Sequence, residues 1–325
     1  VQTLTKPIPA NITEEACKVL AVSESLIQAL AYEQHISALK DFIEDWVKTS
    51  DDEIKPLLSW QFESNSKFFR PLTMFACHEA ITGKQVDKAL LSRVAALEFF
   101  HNVSLIIDDI LDRSRTRRSK ATLHCKFGSL PALMTSGFIT AEGFRLVKND
   151  AYAIERLAEL LKRLGIAECM QWRLRRHPLG VEDWRVIAGE DTGSMFEICA
   201  CLATRDDSLR QYGHLLGMLY HGCDDVSDVR GSLALGGGGD EDIRDGILTL
   251  PVSLAIREPE FAIKFREGKL DDMAYISKKL NAVLPDAEAY LDKIARDARH
   301  EATNQARNPE KLFILVEHTR GLSRV

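Results

Sequence analysis

Apolar residues recur at helical spacing from one end of this 325-residue chain to the other, and no convincing run alternates apolar with polar residues as a β-strand would. A chain patterned this way buries its apolar faces by packing helix on helix. The expectation is therefore an all-α fold, a helical bundle whose site lies in the core between facing helices. No Pro- or Ser-rich linker divides the sequence and no repeat period shows, which predicts one domain over residues 1–325. Hydrophobic residues at 45% supply a sizeable core.

After Pro7 and Pro9, Asn11 reads as an N-cap with Glu14 three residues on, opening a helix through Leu20, Leu30 and Ile36 toward Trp46. Thr49 to Glu53 is a connection. Helices are expected at Pro71–Ile81 and about Gln85–Leu111, then a loop or short turn at Arg113–Lys120. Further helices are expected at Pro131–Val147, Ala151–Arg173, Val181–Ala203 and Ser208–Val229. Gly231–Asp242, with its run Gly236 to Gly239, is a flexible loop that suits a lid as well as a surface insertion. Thr249–Leu322 reads as several shorter amphipathic helices.

The net charge of −6 argues against a nucleic-acid partner. Seven cysteines without C-x-x-C spacing read as reduced core thiols, not as a disulfide frame or a zinc site. The first thirty residues lack a signal-peptide pattern, and no stretch approaches the roughly 18 apolar residues of a membrane span. A soluble cytoplasmic protein is expected.

Two of the expected helices end in the same pattern: Asp108-Asp109-Ile110-Leu111-Asp112 and Asp224-Asp225-Val226-Ser227-Asp228. Residues four apart share a helical face, so Asp108 stacks over Asp112 and Asp224 over Asp228. One such cluster alone is ordinarily a solvated face. Two carboxylate pairs facing each other repel and cost free energy when desolvated. Divalent cations between them remove that cost. Mg²⁺ suits the donors best, since it takes oxygen ligands, keeps several waters and bridges to phosphate.

His101 lies seven residues before Asp108, Arg117-Arg118 follow Asp112 after four residues, and Lys67-Phe68-Phe69-Arg70-Pro71 lies upstream. With these in register the chain resembles the trans-isoprenyl diphosphate synthases, or polyprenyl synthetase family, over residues 66–130 and 186–256. The resemblance implies an isoprenoid synthase-type bundle with a central cavity. It also implies three Mg²⁺ ions bound with diphosphate through Asp108, Asp112 and Asp224. Asp109, Asp225 and Asp228 would then be weaker ligands, or groups that orient the ligands and bound waters. Arg117 assists the same diphosphate. Lys67, Arg70, His101 and Arg118 match the family positions that bind isopentenyl diphosphate, while Thr192 and His221 fall at substrate-side positions near the second cluster. The family usually forms dimers, so a homodimer is expected.

The second half departs from the family. Asp191 stands where a lysine precedes Thr192, Tyr220-His221 replaces F-Q, and Ile247 replaces the lysine of G-K-x-T-L-P. Asn65-Ser66 replaces the G-G before Lys67, and the loop after the second cluster is acidic at Asp240, Glu241 and Asp242. Three readings follow. One is a prenyltransferase condensing isopentenyl diphosphate with an allylic diphosphate. Another is a class I terpene cyclase on the same scaffold, and the third is a non-catalytic subunit of a heteromeric synthase. Retention of Lys67, Arg70, His101 and Arg118 favours the first. Small Val103 and Ser104 before Asp108, with Phe100 one turn deeper, suggest a farnesyl- to geranylgeranyl-length product.

Overall fold

The computed structural model describes residues 24–63, 66–118, 120–231, 241–269 and 272–324, with backbone only at 241, 244 and 273. The Asn11 N-cap, Cys17, Asn65 and the run Gly236 to Asp240 lie outside these residues. Helices dominate. The first is α1 (residues 24–30), followed by α2 (Glu33–Thr49), α3 (Lys55–Phe62), α4 (Phe69–Thr82) and α5 (Lys88–Leu111). The helix expected to run unbroken toward Trp46 is interrupted at Ala31, whose φ of +56° is left-handed. Tyr32 beside it is buried and donates to Glu79 Oε2 at 2.7 Å. α3 was not expected, because its eight residues carry too short an apolar pattern.

α5 is the central helix, capped by the Asp87 side chain on the Leu90 N–H at 2.7 Å. By length and composition it could cross a membrane, contrary to the expectation that no stretch could. However, 72% of its apolar window is buried inside the protein. It is apolar nearly all round because helices cover it nearly all round.

The turn at 113–120 contains a two-residue antiparallel ladder, β1 (Thr116–Arg117) on β2 (Lys120–Ala121). Then come α6 (Leu123–Phe127), α7 (Ser129–Leu146) and α8 (Ala151–Leu174). The single helix expected at 181–203 is two, α9 (Val181–Ala188) and α10 (Ser194–Thr204), joined through a π-turn at Gly189–Gly193. Arg163 of α8 spans that turn, bonding Glu190 at 2.9 Å on one side and Glu197 at 2.7 Å on the other. α11 (Arg210–Val229) packs against it at Gly217, where a Cβ would lie 2.4 Å from the Thr192 carbonyl oxygen.

The C-terminal third is α12 (Glu241–Asp245), α13 (Leu250–Ala255), α14 (Pro259–Glu267), α15 (Met273–Gln305) and α16 (Glu310–Gly321). Several short helices were expected there. Instead α15 runs 33 residues through Pro285. An internal proline removes a backbone bond at a cost of about 3 kcal/mol. Burial of Leu280, Leu284, Ala287, Leu291 and Ile294 on either side of it offsets that loss. The core is one connected cluster extending from Leu26 to Leu322. Among the described cysteines Cys77, Cys199, Cys201 and Cys223 are buried, whereas Cys125 and Cys169 are exposed and correct the reading of every thiol as core; all of these are free.

Candidate active site

The two aspartate clusters close the C-terminal ends of α5 and α11, as their spacing requires. Asp112 is the C-cap of α5 and donates its N–H to the Asp108 carbonyl at 2.9 Å. Asp108 is half-buried, and its carboxyl is held well above the usual range, first by burial and then by the neighbouring Glu168 and Asp191. Asp224 is pushed up to about 7 by burial and by Asp225, and Asp228 to about 8 by burial and by Asp224 and Asp242. Asp242 of α12 rises to about 6, through burial and its neighbours Asp225 and Asp112. Asp242 thus feels both clusters, so the two face one cleft.

Members of each cluster differ in what they touch. Asp109 is buried and accepts from Arg117 Nε at 2.8 Å. Asp225 is buried and its Oδ2 accepts from Trp184 Nε1 and from the Leu250 N–H, both at 2.8 Å. These two carboxylates tie the ends of α5 and α11 to the hairpin, α9 and α13. By contrast, Asp224 Oδ1 and Asp228 Oδ1 are buried with no hydrogen-bond partner among the described residues. Buried carboxylate oxygens left in that state call for a cation. Among the described residues no group of three or more His, Cys, Asp or Glu is gathered tightly enough to hold an ion by itself. The donors therefore fit hard cations that complete their shells with water and substrate oxygens, as Mg²⁺ does.

The basic set gathers on the other wall. Phe68, left-handed at φ +50°, turns the chain into α4 just after Lys67. Lys67 is brought down to about 8 by burial and Arg118, against the pull of Asp224. Arg70 Nη1 meets His101 Nε2 at 3.0 Å, and its guanidinium lies 5.3 Å from the Phe196 ring centroid. His101 is buried and kept neutral, by burial and then by Arg70 and Arg118. Arg118, at the surface with φ +52°, lines a small pocket, part of it open to solvent, together with Ser66, Glu98, His101 and Asn102.

Near the second cluster His221 Nδ1 lies 3.0 Å from Thr192 Oγ1 and 3.4 Å from Asp191 Oδ2. Burial opposes its positive charge, but Asp225 and Asp191 outweigh burial and raise it to about 9. The acid at the expected lysine position is thus paired with a cation from α11.

Four residues at the site had not been read from the sequence. Glu168 on α8 rises to about 7 through burial and Asp191. Buried Glu98 accepts from Ser66 Oγ at 3.2 Å beside the basic set. His318 on α16 is lowered to about 4 by burial and Lys67, and its ring lies 6.0 Å from that of Phe69. Arg175, just past α8, reaches Asp112 at 3.4 Å. None has a distinctive spacing to either cluster; only helix packing brings them in.

A family model described as polyprenyl synthetase matches residues 51–279, more than half the chain. The chain belongs to the polyprenyl synthetase family. It is a polyprenyl diphosphate synthase, a prenyltransferase by family and by relatives. A nonaprenyl diphosphate synthase of Mycobacterium tuberculosis is 25% identical, covering 90% of this chain and 93% of its own length. A geranylgeranyl pyrophosphate synthase of Geoglobus acetivorans is 25% identical over 72% of this chain and 82% of its own. The fold matches a solved decaprenyl diphosphate synthase of Rhodobacter capsulatus at TM-score 0.81, with 20% identity, over 93% of this chain and 99% of that one. A polyprenyl synthase of Caulobacter crescentus, solved with calcium and isoprenyl diphosphate, gives TM-score 0.80 at 24% identity over 92% and 97%. Synthases of this family depend on Mg²⁺.

Proposed function

We propose that this synthase condenses isopentenyl diphosphate with an allylic diphosphate to give a product of farnesyl to geranylgeranyl length. The observation that carries the reading is the pairing of two unlike anion sites. One wall is acidic, with oxygens on Asp224 and Asp228 that have no partner among the described residues. The other is a pocket lined by Arg118, neutral His101 and Glu98, with the Arg70 guanidinium on His101 at 3.0 Å and Lys67 nearby. A cyclase handles one diphosphate and needs only the acidic wall; elongation needs both.

On this reading Asp108, Asp112 and Asp224 would hold Mg²⁺, three ions with the diphosphate bound, and Asp109, Asp225 and Asp228 would orient the ligands and their waters. Bound Mg²⁺ would stabilise the charge that builds on the leaving pyrophosphate as the allylic C–O bond breaks. Arg117, Thr192 and His221 face that diphosphate. Lys67, Arg70, His101 and Arg118 hold isopentenyl diphosphate so that its double bond attacks the allylic carbon. The departing pyrophosphate then takes the proton lost in the last step.

Product length rests on Phe100, which is buried beneath Asp108 against Phe144 with centroids 5.0 Å apart. A Cβ at Gly143 would sit 2.6 Å from the Phe100 ring. The ring is pinned, as a floor to the cavity should be. The chain would work as one all-α domain, since its core is one cluster. It would be cytoplasmic, consistent with its free thiols. It would form a homodimer, with exposed Leu130, Leu133 and Met134 of α7 as an apolar stripe for the second copy.

The test is product analysis by mass spectrometry after incubation with Mg²⁺, isopentenyl diphosphate and each allylic diphosphate, and then with each allylic diphosphate alone. Elongated diphosphates of farnesyl to geranylgeranyl length are expected. Cyclic hydrocarbon from a single substrate would establish the cyclase reading, and no product under either condition the non-catalytic subunit.

A further inference from the structure

The acidic wall has a charge problem that the two clusters do not solve. Asp191 and Glu168 add negative charge around Asp108, and Glu168, Asp242 and Asp245 add it around Asp112. A diphosphate arriving there needs cationic hydrogen-bond donors as well as metal. Arg117 is already bonded to buried Asp109, and His221 is engaged with Asp191 and Thr192.

Arg175 is placed differently. It follows the last residue of α8, and its guanidinium carbon lies 4.6 Å from the Trp172 ring centroid. Among the described residues its Nη2 makes only a long contact, 3.4 Å, to Asp112 Oδ1. Its Nε is buried and has no hydrogen-bond partner among the described residues. The side chain is 24% exposed and that of Asp112 is 45% exposed, so the pair sits at the mouth of the cleft.

The loop that carries Arg175 is fixed by its neighbour. The Arg176 N–H donates to the Gly246 carbonyl at 2.8 Å, which ties the end of α8 to the chain entering α13. Gly246 is left-handed at φ +75°, and a Cβ there would fall 2.4 Å from Arg176 Cγ. Arg176 itself adopts φ +62°. A left-handed non-glycine residue costs free energy, and the close fit to Gly246 holds it there.

We propose that Arg175 is a diphosphate-binding residue of the allylic site. Its guanidinium, held to Asp112 only by a long contact, would donate to the diphosphate through the nitrogens now poorly satisfied, leaving Asp112 available as a metal ligand. It supplies the positive charge that the acidic second half lacks, where Asp191 and Ile247 stand at lysine positions of the family. This rests on the prenyltransferase reading for the identity of the ligand, but not on the product formed.

The test is binding of inorganic pyrophosphate with Mg²⁺, measured by calorimetry on the full chain, for the wild type, Arg175→Gln and Arg175→Lys. Loss of one charge-assisted contact predicts about tenfold weaker binding for Arg175→Gln and partial recovery for Arg175→Lys. In steady state KM for the allylic substrate should rise by a similar factor, with KM for isopentenyl diphosphate unchanged. A purely structural Arg175 would lower the melting temperature and leave pyrophosphate affinity intact, and that result overturns the proposal. Equal rises in both KM values would also overturn it. If the wild type binds no pyrophosphate in Mg²⁺, the function reading falls as well; if only the variants are unchanged, that reading stands.

Discussion

At the residue scale the aspartates divide by what they touch. Asp109 and Asp225 are consumed by Arg117, Trp184 and the Leu250 N–H. Asp224 and Asp228 each present a buried oxygen with no partner among the described residues. Removing charge at Asp224 should therefore separate stability from activity. Asp224→Asn should lower Mg²⁺-dependent turnover on the order of 10²–10³-fold, as loss of a group that stabilises developing charge does. In metal-free buffer at pH 8 the same variant should be roughly 1–2 kcal/mol more stable to urea, because a carboxylate raised to about 7 by burial and Asp225 is ionised there against its environment. Loss of activity together with loss of stability would make Asp224 a packing residue instead.

At the scale of elements, two devices place the site. The first is the hairpin that carries Arg117 and Arg118. Its β2 strand is held to α3 by Trp60, whose Nε1 donates to the Ala121 carbonyl at 2.9 Å. The Trp60 ring lies between Lys120 and Lys126, with ammonium nitrogens 3.9 and 3.6 Å from its centroid. Each cation–π contact contributes about 0.5–1 kcal/mol. Trp60→Leu should loosen the hairpin and raise KM for isopentenyl diphosphate about three- to tenfold with kcat nearly unchanged, while Trp60→Phe recovers part of the loss; steady-state kinetics decide it. The second device is the π-turn, clamped by Arg163 and seated on Gly217. Gly217→Ala should push Thr192 away from His221 and cost about 1–3 kcal/mol, read by urea denaturation. An unchanged midpoint would mean the turn absorbs the methyl group.

For the whole molecule, the acidic cleft dictates how stability responds to pH. Asp224, Asp228, Glu168 and Asp242 sit at about 7, 8, 7 and 6, above their values in an unfolded chain. The native state therefore binds more protons than the unfolded state between about pH 4 and 8. Stability from these groups is complete below pH 4 and is lost as pH rises through 6 to 8. His221, raised to about 9, acts in the same sense at higher pH. The metal-free melting temperature should fall from pH 5 to pH 8, and Mg²⁺ with pyrophosphate should restore most of it. A flat profile without metal would show that the cleft carboxylates are already compensated. Self-association of the whole molecule is predicted through the α7 stripe, so Met134→Glu should shift sedimentation from dimer to monomer.

The sequence by itself determined the helical class, the placement of both aspartate clusters at helix ends, and the register of Lys67, Arg70, His101, Arg117 and Arg118. Those features are local, governed by side-chain period and spacing along one helix or turn. The long helix through Pro285 and the break at Gly189–Gly193 were not legible, because packing against neighbouring helices outweighs the local preference at both places. Nor could spacing reveal that Asp191 would meet His221, that Glu168 and Arg175 would turn toward the clusters, or that His318 would lie beside Lys67 and Phe69. These residues are far apart in the chain, and only the tertiary structure sets their distances. Local chemistry could propose a diphosphate site; the balance of charge around it was decided by the fold.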